Sequence, residues 1–223
     1  FLSLCNDIVT VTQEVPKKDQ ATRIILRRLH RWQEFLKKSR SDLLPEKTIK
    51  GLIGELFFML NHLVPSFGAG QAVQFWQGPD DLPQDFCVGN CAIEVKSQLG
   101  TTTPRVHISS ADQLCTQLPN MYLYVITLGK TEAEASLALN LPSLIEKIRD
   151  RLEVESPGNF ERFNNLIYQT GFVDHDEYRD FSYLMVSEKM FAVVPGFPKI
   201  CSDQLPSGIE HVSYELKLLD CEP

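Results

Sequence analysis

The sequence predicts a mixed α/β fold, a restriction-endonuclease-like arrangement of a central mixed sheet flanked by helices, and three observations predict it. Two strand-like runs meet at Gly89-Asn90, a two-residue hairpin signal. A helical stretch that is apolar almost all round precedes them at 50–63, and the continuous apolar run MYLYVITL follows at 121–128. Helix, strand, hairpin, strand, helix, strand in that order is a mixed core. The boundaries expected are 1–45 for an N-terminal strand and basic helix, 46–130 for the core, and 131–223 for an accessory C-terminal α+β subdomain.

Each element has its own signal. Residues 4–15 carry Ile8, Val9, Thr10, Val11 and Thr12, which predicts a strand. From Asp19, Ile24, Ile25, Leu29, Trp32, Phe35 and Leu36 recur at helical spacing, and Ser41, Asp42 and Pro45 end that helix. A second helix is expected from about Pro45 and Glu46 to Leu63. QAVQFW at 71–76 reads as a strand, GPDDLP as a loop, and QDFCV and CAIEVKSQL as the two arms of the hairpin. RVHIS at 105–109 predicts a strand and 110–118 a helix. Further helices are expected at 140–152, starting from Asn140, and at 158–170, stopping at Gly171. FSYLMV, FAVV and VSYELKLL read as short strands with Pro195, Pro198 and Pro206 between them.

Composition removes several classes of function. No stretch approaches the ~20 apolar residues that span a bilayer, since the longest run, 52–60, contains Gly54 and Glu55. There is no phosphate loop, no G-x-G-x-x-G and no G-x-S-x-G elbow. Six cysteines show no C-x-x-C pair and no zinc spacing, and are expected as reduced thiols of a cytoplasmic protein. The chain opens on Phe1, so it is expected to continue a longer N-terminal region. Net charge is −7, but residues 17–50 carry +7 and residues 51–223 carry −12. That asymmetry fits either a polyanion-facing segment or a solvated helix face.

The hairpin carries the chemistry. A turn at Gly89-Asn90 pairs Val88 with Cys91, Cys87 with Ala92, Phe86 with Ile93 and Asp85 with Glu94. Opposed Cβ atoms lie ~4.5–5.5 Å apart, and period-2 alternation puts Lys96 on the same face as Glu94. Two facing carboxylates repel unless a divalent cation lies between them, and oxygen ligands suit Mg²⁺, with Mn²⁺ as a substitute. A lysine beside them supplies charge stabilisation for phosphodiester hydrolysis. An E-x-K in a strand is common by itself, and a wet hairpin face is the competing explanation. Glu55 adds weight, because a carboxylate inside an all-apolar helix needs a cation or a strong donor.

Taken together, Glu55 in GLIGELFF, Asp85 in QDF and Glu94-Val95-Lys96 in IEVKS resemble the PD-(D/E)XK, or restriction-endonuclease-like, nuclease superfamily. GLIGELFFML, FWQGP, DF, IEVKS and VHISSADQL look like a bacterial branch of it associated with restriction and phage-defence gene clusters. The resemblance covers about 20–223. It implies Asp85 and Glu94 as metal ligands, Glu55 as an accessory ligand and Lys96 as the group that orients water and stabilises charge. Gln113 would be aimed at the site and Ser97 would support it. The literal Pro-Asp is Pro79-Asp80, in a Gly/Pro-rich loop with Asp81, whereas Asp85 follows Gln84. Asp85 is preferred because pairing places it. His62 and His107 are the alternative bases.

The implied activity is a Mg²⁺-dependent endonuclease acting on double-stranded DNA in restriction or phage defence, as a homodimer or with defence-complex partner proteins. The competing expectation is a catalytically silent, nuclease-like nucleic-acid-binding or scaffold module.

Overall fold

A computed structural model describes residues 5, 8–9, 12, 18–37, 43–80, 82–100 and 103–221, the side chains of 18–19 and 30–37 excepted. Helix α1 is Lys18–Lys37 and α2 is Glu46–Phe58. The chain then passes through one π-helical stretch, Met59–Leu63, into α3, Val64–Phe67, and α4, Ala69–Phe75. Strands follow as β1 Phe86–Val88, β2 Cys91–Leu99, β3 Arg105–Ile108 and β4 Asn120–Lys130. Helices α5, Leu141–Glu155, and α6, Phe160–Gln169, lead to β5, Tyr183–Ala192, and β6, Tyr214–Lys217.

The central sheet has the order β1-β2-β4-β5. β1 is antiparallel to β2, β2 parallel to β4, and β4 antiparallel to β5, so the sheet is mixed. Alternation along β2 and β4 sorts side chains to two cores. Ile93, Val95, Tyr124, Ile126 and Leu128 face the helical layer, where Ile53, Leu56, Phe58, Ile145, Ile148 and Phe163 are buried. Ala92, Leu123 and Val125 face the β3–β6 ribbon and bury with Val106, Ile108 and Leu216. This is the mixed sheet with flanking helices of a restriction-endonuclease-like core. Residues from 131 onward supply β5 to that sheet and α5 and α6 to the helical layer.

The hairpin register is the one read from the turn for three of the four expected pairs, Phe86 opposite Ile93, Cys87 opposite Ala92 and Val88 opposite Cys91. The fourth, Asp85 with Glu94, does not form, because the ladder ends at Phe86 and Asp85 lies in a bend. Gly89 has φ +58°, and Asn90 is not among the described residues with positive φ. A positive φ at the first turn position alone is what glycine there permits.

Other expectations are corrected. Cys5, Ile8, Val9 and Thr12 are helical, not extended, and Thr12 Oγ1 donates to the Ile8 carbonyl at 2.7 Å, one helical turn back. The β-branched run raised strand propensity without deciding the outcome. The expected strand at 71–76 is α4, because Ala69, Ala72, Val73 and Trp76 are buried at helical spacing. Only Trp76 pairs as a strand residue, bridging to Phe86. The expected helix at 110–118 is a set of turns at 110–114. FSYLMV and the start of FAVV join in one strand, β5. The break expected at Ser41 and Asp42 lies outside the described residues. Cys115 and Cys201 form a disulfide across 86 residues, which overturns the reading of all six cysteines as reduced thiols; Cys5, Cys87, Cys91 and Cys221 are free. So wide a separation leaves no spacing signal.

One close approach fixes α2 on the sheet. A Cβ at Gly54 would meet Ser97 Oγ at 2.2 Å, Ile126 Cγ2 at 3.2 Å and Val95 Cγ1 at 3.4 Å. Gly54→Ala should therefore lower stability by about 1–3 kcal/mol, as overpacking does. Adding Ser97→Ala should recover part of the loss in a denaturant titration. Full additivity of the two substitutions would show that the contact is not what sets the spacing.

Candidate active site

β1 is short, and β2 outlasts it. Beyond Phe86 the β2 edge therefore needs another acceptor, and Asp85 supplies one: its Oδ2 accepts from the Val95 amide at 2.7 Å. The Asp85 carbonyl in turn accepts from the amides of Gln77 and Gly78, at 2.7 and 3.1 Å. These bonds hold Gln77 and Gly78 against Asp85, so that Gly78 lies over the carboxylates. A Cβ built on Gly78 would stand 2.7 Å from Glu55 Oε2 and 3.1 Å from Asp85 Oδ1. The two oxygens thus flank one point that only glycine leaves clear.

Glu55 reaches this place from α2. Its Oε2 accepts from the indole N–H of Trp76 at 2.8 Å, and Trp76 is fully buried. That bond answers two needs at once, the acid's need for a donor and the indole's need for an acceptor. Glu94 is 1% exposed. Its Oε1 meets Lys96 Nζ at 2.6 Å, while its Oε2 is buried with no hydrogen-bond partner. Lys96 Nζ also donates to Gln113 Oε1 at 3.0 Å.

Burial and mutual repulsion dominate the electrostatics. Burial pushes the Asp85 carboxyl up to about 6, against the opposing pull of the Val95 N–H and Lys96. Burial, then the Asp85 charge, hold Glu55 well above the usual carboxylate range, while Trp76 and Lys96 pull it down. The same two causes raise Glu94, with Lys96 opposing. Three acids and one ammonium in a partly dry corner are an arrangement that favours either protons or a cation.

Among the described residues, no group of three or more His, Cys, Asp and Glu side chains is set to hold a metal ion. Mg²⁺ does not require one, since it is commonly held by one or two carboxylates with water and phosphate completing the shell. Asp85 Oδ1 and the partnerless Glu94 Oε2 provide two such oxygens, and Gly78 leaves room beside the first. The donor set fits a hard divalent cation.

Glu55, Asp85, Glu94, Lys96 and Gln113 therefore come together in the fold. Ser97 does not join them: it faces α2, with its hydroxyl buried against Gly54 and without a partner. Asp80 turns away to pair with Arg28 at 2.5 Å, and Asp81 lies outside the described residues. His62 pairs with Glu188 at 2.9 Å and His107 with Glu215 at 3.0 Å, each away from the acids. Sequence reasoning missed Trp76, Gly78 and Gln84. All three lie in the motifs FWQGP and QDF, but no role followed for them from the sequence, because the partners of each are set by the tertiary fold.

Comparison with family models matches residues 1–219 to a family described as "Putative PD-(D/E)XK family member, (DUF4420)". Comparison with curated proteins and with solved structures returned no match.

Proposed function

The chain belongs to the DUF4420 family of the PD-(D/E)XK group, and from that premise we propose that it is a Mg²⁺-dependent endonuclease hydrolysing phosphodiester bonds in DNA. One observation carries the reading. Glu94 keeps a buried oxygen without any donor, beside a second carboxylate and a lysine that already neutralises its other oxygen. A buried acceptor left open is costly unless something fills it, and a cation is what this donor set accepts.

Asp85 and Glu94 would hold the ion, and Glu55, steadied by Trp76, would be an accessory ligand or hold water. When bound, the ion acts as a Lewis acid and lowers the pKa of water. Lys96 contributes the fixed positive charge where the scissile phosphate gains negative charge. Gln113 holds that ammonium in place. Trp76 and Gly78 cover the acid side of the site. Support for a polyanionic substrate comes from the +7 charge of residues 17–50 on an otherwise acidic chain and from exposed Arg23 and Arg27 on α1. Arg28, on the same helix, is tied to Asp80 in the loop over the site. One site per chain would make double-strand cutting the work of two copies, and a role in restriction or phage defence fits such an activity.

The test is cleavage of supercoiled plasmid, linear duplex, single-stranded DNA and RNA with Mg²⁺, with Mn²⁺ and with chelator, beside calorimetric Mg²⁺ titration of wild type and Glu94→Gln. Divalent-dependent cutting of a DNA form is expected, with heat of binding lost in the variant. Binding without cutting of any substrate would leave a silent module, and neither binding nor cutting would sink the metal site.

A further inference from the structure

We propose that Gln84 is a positioning residue: its side-chain amide holds the 110–115 turn so that Gln113 presents its oxygen to Lys96. The inference rests on the nuclease reading of Lys96 but concerns a residue which that reading does not use.

Gln84 directly precedes Asp85, and its side chain leaves the hairpin for the turn. Nε2 donates to the Asp112 carbonyl at 2.7 Å and to the Cys115 carbonyl at 3.0 Å, with the Gln113 carbonyl at 3.4 Å. Three carbonyls thus surround one amide nitrogen. In a helix they would point along the axis to amides four residues on. Here they converge on Gln84, which accounts for turns where the sequence predicts a helix. The turn closes internally through Gln113 N to Ser110 O and Cys115 N to Asp112 O. Its far side is fastened by the Cys115–Cys201 disulfide, by Lys199 Nζ on the Leu114 carbonyl at 3.3 Å, and by Ser202 bonded to Asp112.

Between these two anchors Gln113 has little freedom. Its Oε1 accepts from Ser109 N at 2.8 Å, Ser109 Oγ at 3.0 Å and Lys96 Nζ at 3.0 Å. The backbone donor settles which end of the amide is oxygen. The contact path is therefore Gln84, turn carbonyls, Gln113, Lys96. Because Gln84 and Asp85 are consecutive, the backbone that places one acid also places the partner of the ammonium. A shift of about 1 Å in such a group is enough to cost catalysis heavily.

Gln84→Met keeps length and removes the donor; Gln84→Glu keeps shape and turns the donor into an acceptor facing three carbonyls. With Mg²⁺ and cleavable DNA, both are expected to lower kcat about tenfold or more with KM within about twofold, as loss of an interaction needed only in the transition state does. In the ¹H–¹⁵N spectrum, the Gln113 side-chain amide, assigned by its loss in Gln113→Glu, is expected to shift in both variants. Wild-type kcat in both variants, or an unmoved Gln113 signal, would overturn the proposal. Absence of cleavage by the wild type would count against the nuclease reading alone, and the Gln113 signal would then decide the role of Gln84. If Gln84→Met folds poorly, Gln84→Glu supplies both measurements.

Discussion

Lys96→Met should lower divalent-dependent DNA cleavage by about 100- to 1,000-fold while DNA affinity changes only a few-fold, the scale expected when one preorganised charge donor is removed. Lys96 is held at both ends of its reach, by Glu94 at 2.6 Å and Gln113 at 3.0 Å. Its ammonium is therefore already in place before substrate arrives, and a methionine of similar length removes the charge with little change in packing. The same substitution strands Glu94, which is 1% exposed and already raised by burial and Asp85. Breaking a buried pair from one side costs about 3–5 kcal/mol. That cost should shrink at low pH, where Glu94 is protonated, and on adding Mg²⁺, which replaces the lost positive charge. Cleavage kinetics, DNA binding with Ca²⁺ in place of Mg²⁺, and denaturant titrations at pH 5 and 8 measure the three effects. Cleavage within threefold of wild type would remove Lys96 from the mechanism.

What the sequence disclosed of this corner, and what it hid, divides along a physical line. The 86–93 pairing was legible because a two-residue turn with glycine sets register and period-2 alternation then assigns faces. The buried helix with Glu55 was legible for the same kind of reason, a local pattern with one polar exception. Asp80 and Asp85 could be ranked because the second directly precedes the paired segment, and its side chain bonds the Val95 amide where the ladder stops. Local pattern failed where tertiary partners decide. QAVQFW satisfies both a strand and a helix pattern, and burial of Ala69, Ala72 and Val73 in the core beside α5 decides for the helix. The 110–115 turn departs from a helix because Gln84, some 28 residues upstream of its first carbonyl partner, captures its carbonyls. Gly78 has no local reason to be glycine; the reason is the pair of oxygens from α2 and the hairpin that meet beneath it.

Asp85→Asn should make the metal-free protein more stable at pH 8 and abolish its response to Mg²⁺. Burial pushes the Asp85 carboxyl up to about 6 from an ordinary 3.8. Between those values the folded state keeps a proton that the unfolded chain has released. The contribution of Asp85 to wild-type stability in chelator is therefore most favourable below pH 4, falls as pH rises through the window, and levels off above about pH 6. The raised carboxyl contributes a loss on the order of 2–3 kcal/mol. Asparagine retains an oxygen for the Val95 amide, so the bond that caps β2 survives, and removing the charge also relieves the repulsion that raises Glu55 and Glu94. The variant should accordingly unfold roughly 5–10 °C above wild type at pH 8 in chelator, with the difference gone near pH 4. Mg²⁺ should reverse the order by stabilising wild type alone, since ligand that binds only the native state raises its stability. Thermal scans at the two pH values, with and without Mg²⁺, read all four terms together. A variant less stable than wild type at pH 8 in chelator would mean that Asp85 is retained for its bond to Val95, leaving no reason from stability to place a cation beside it.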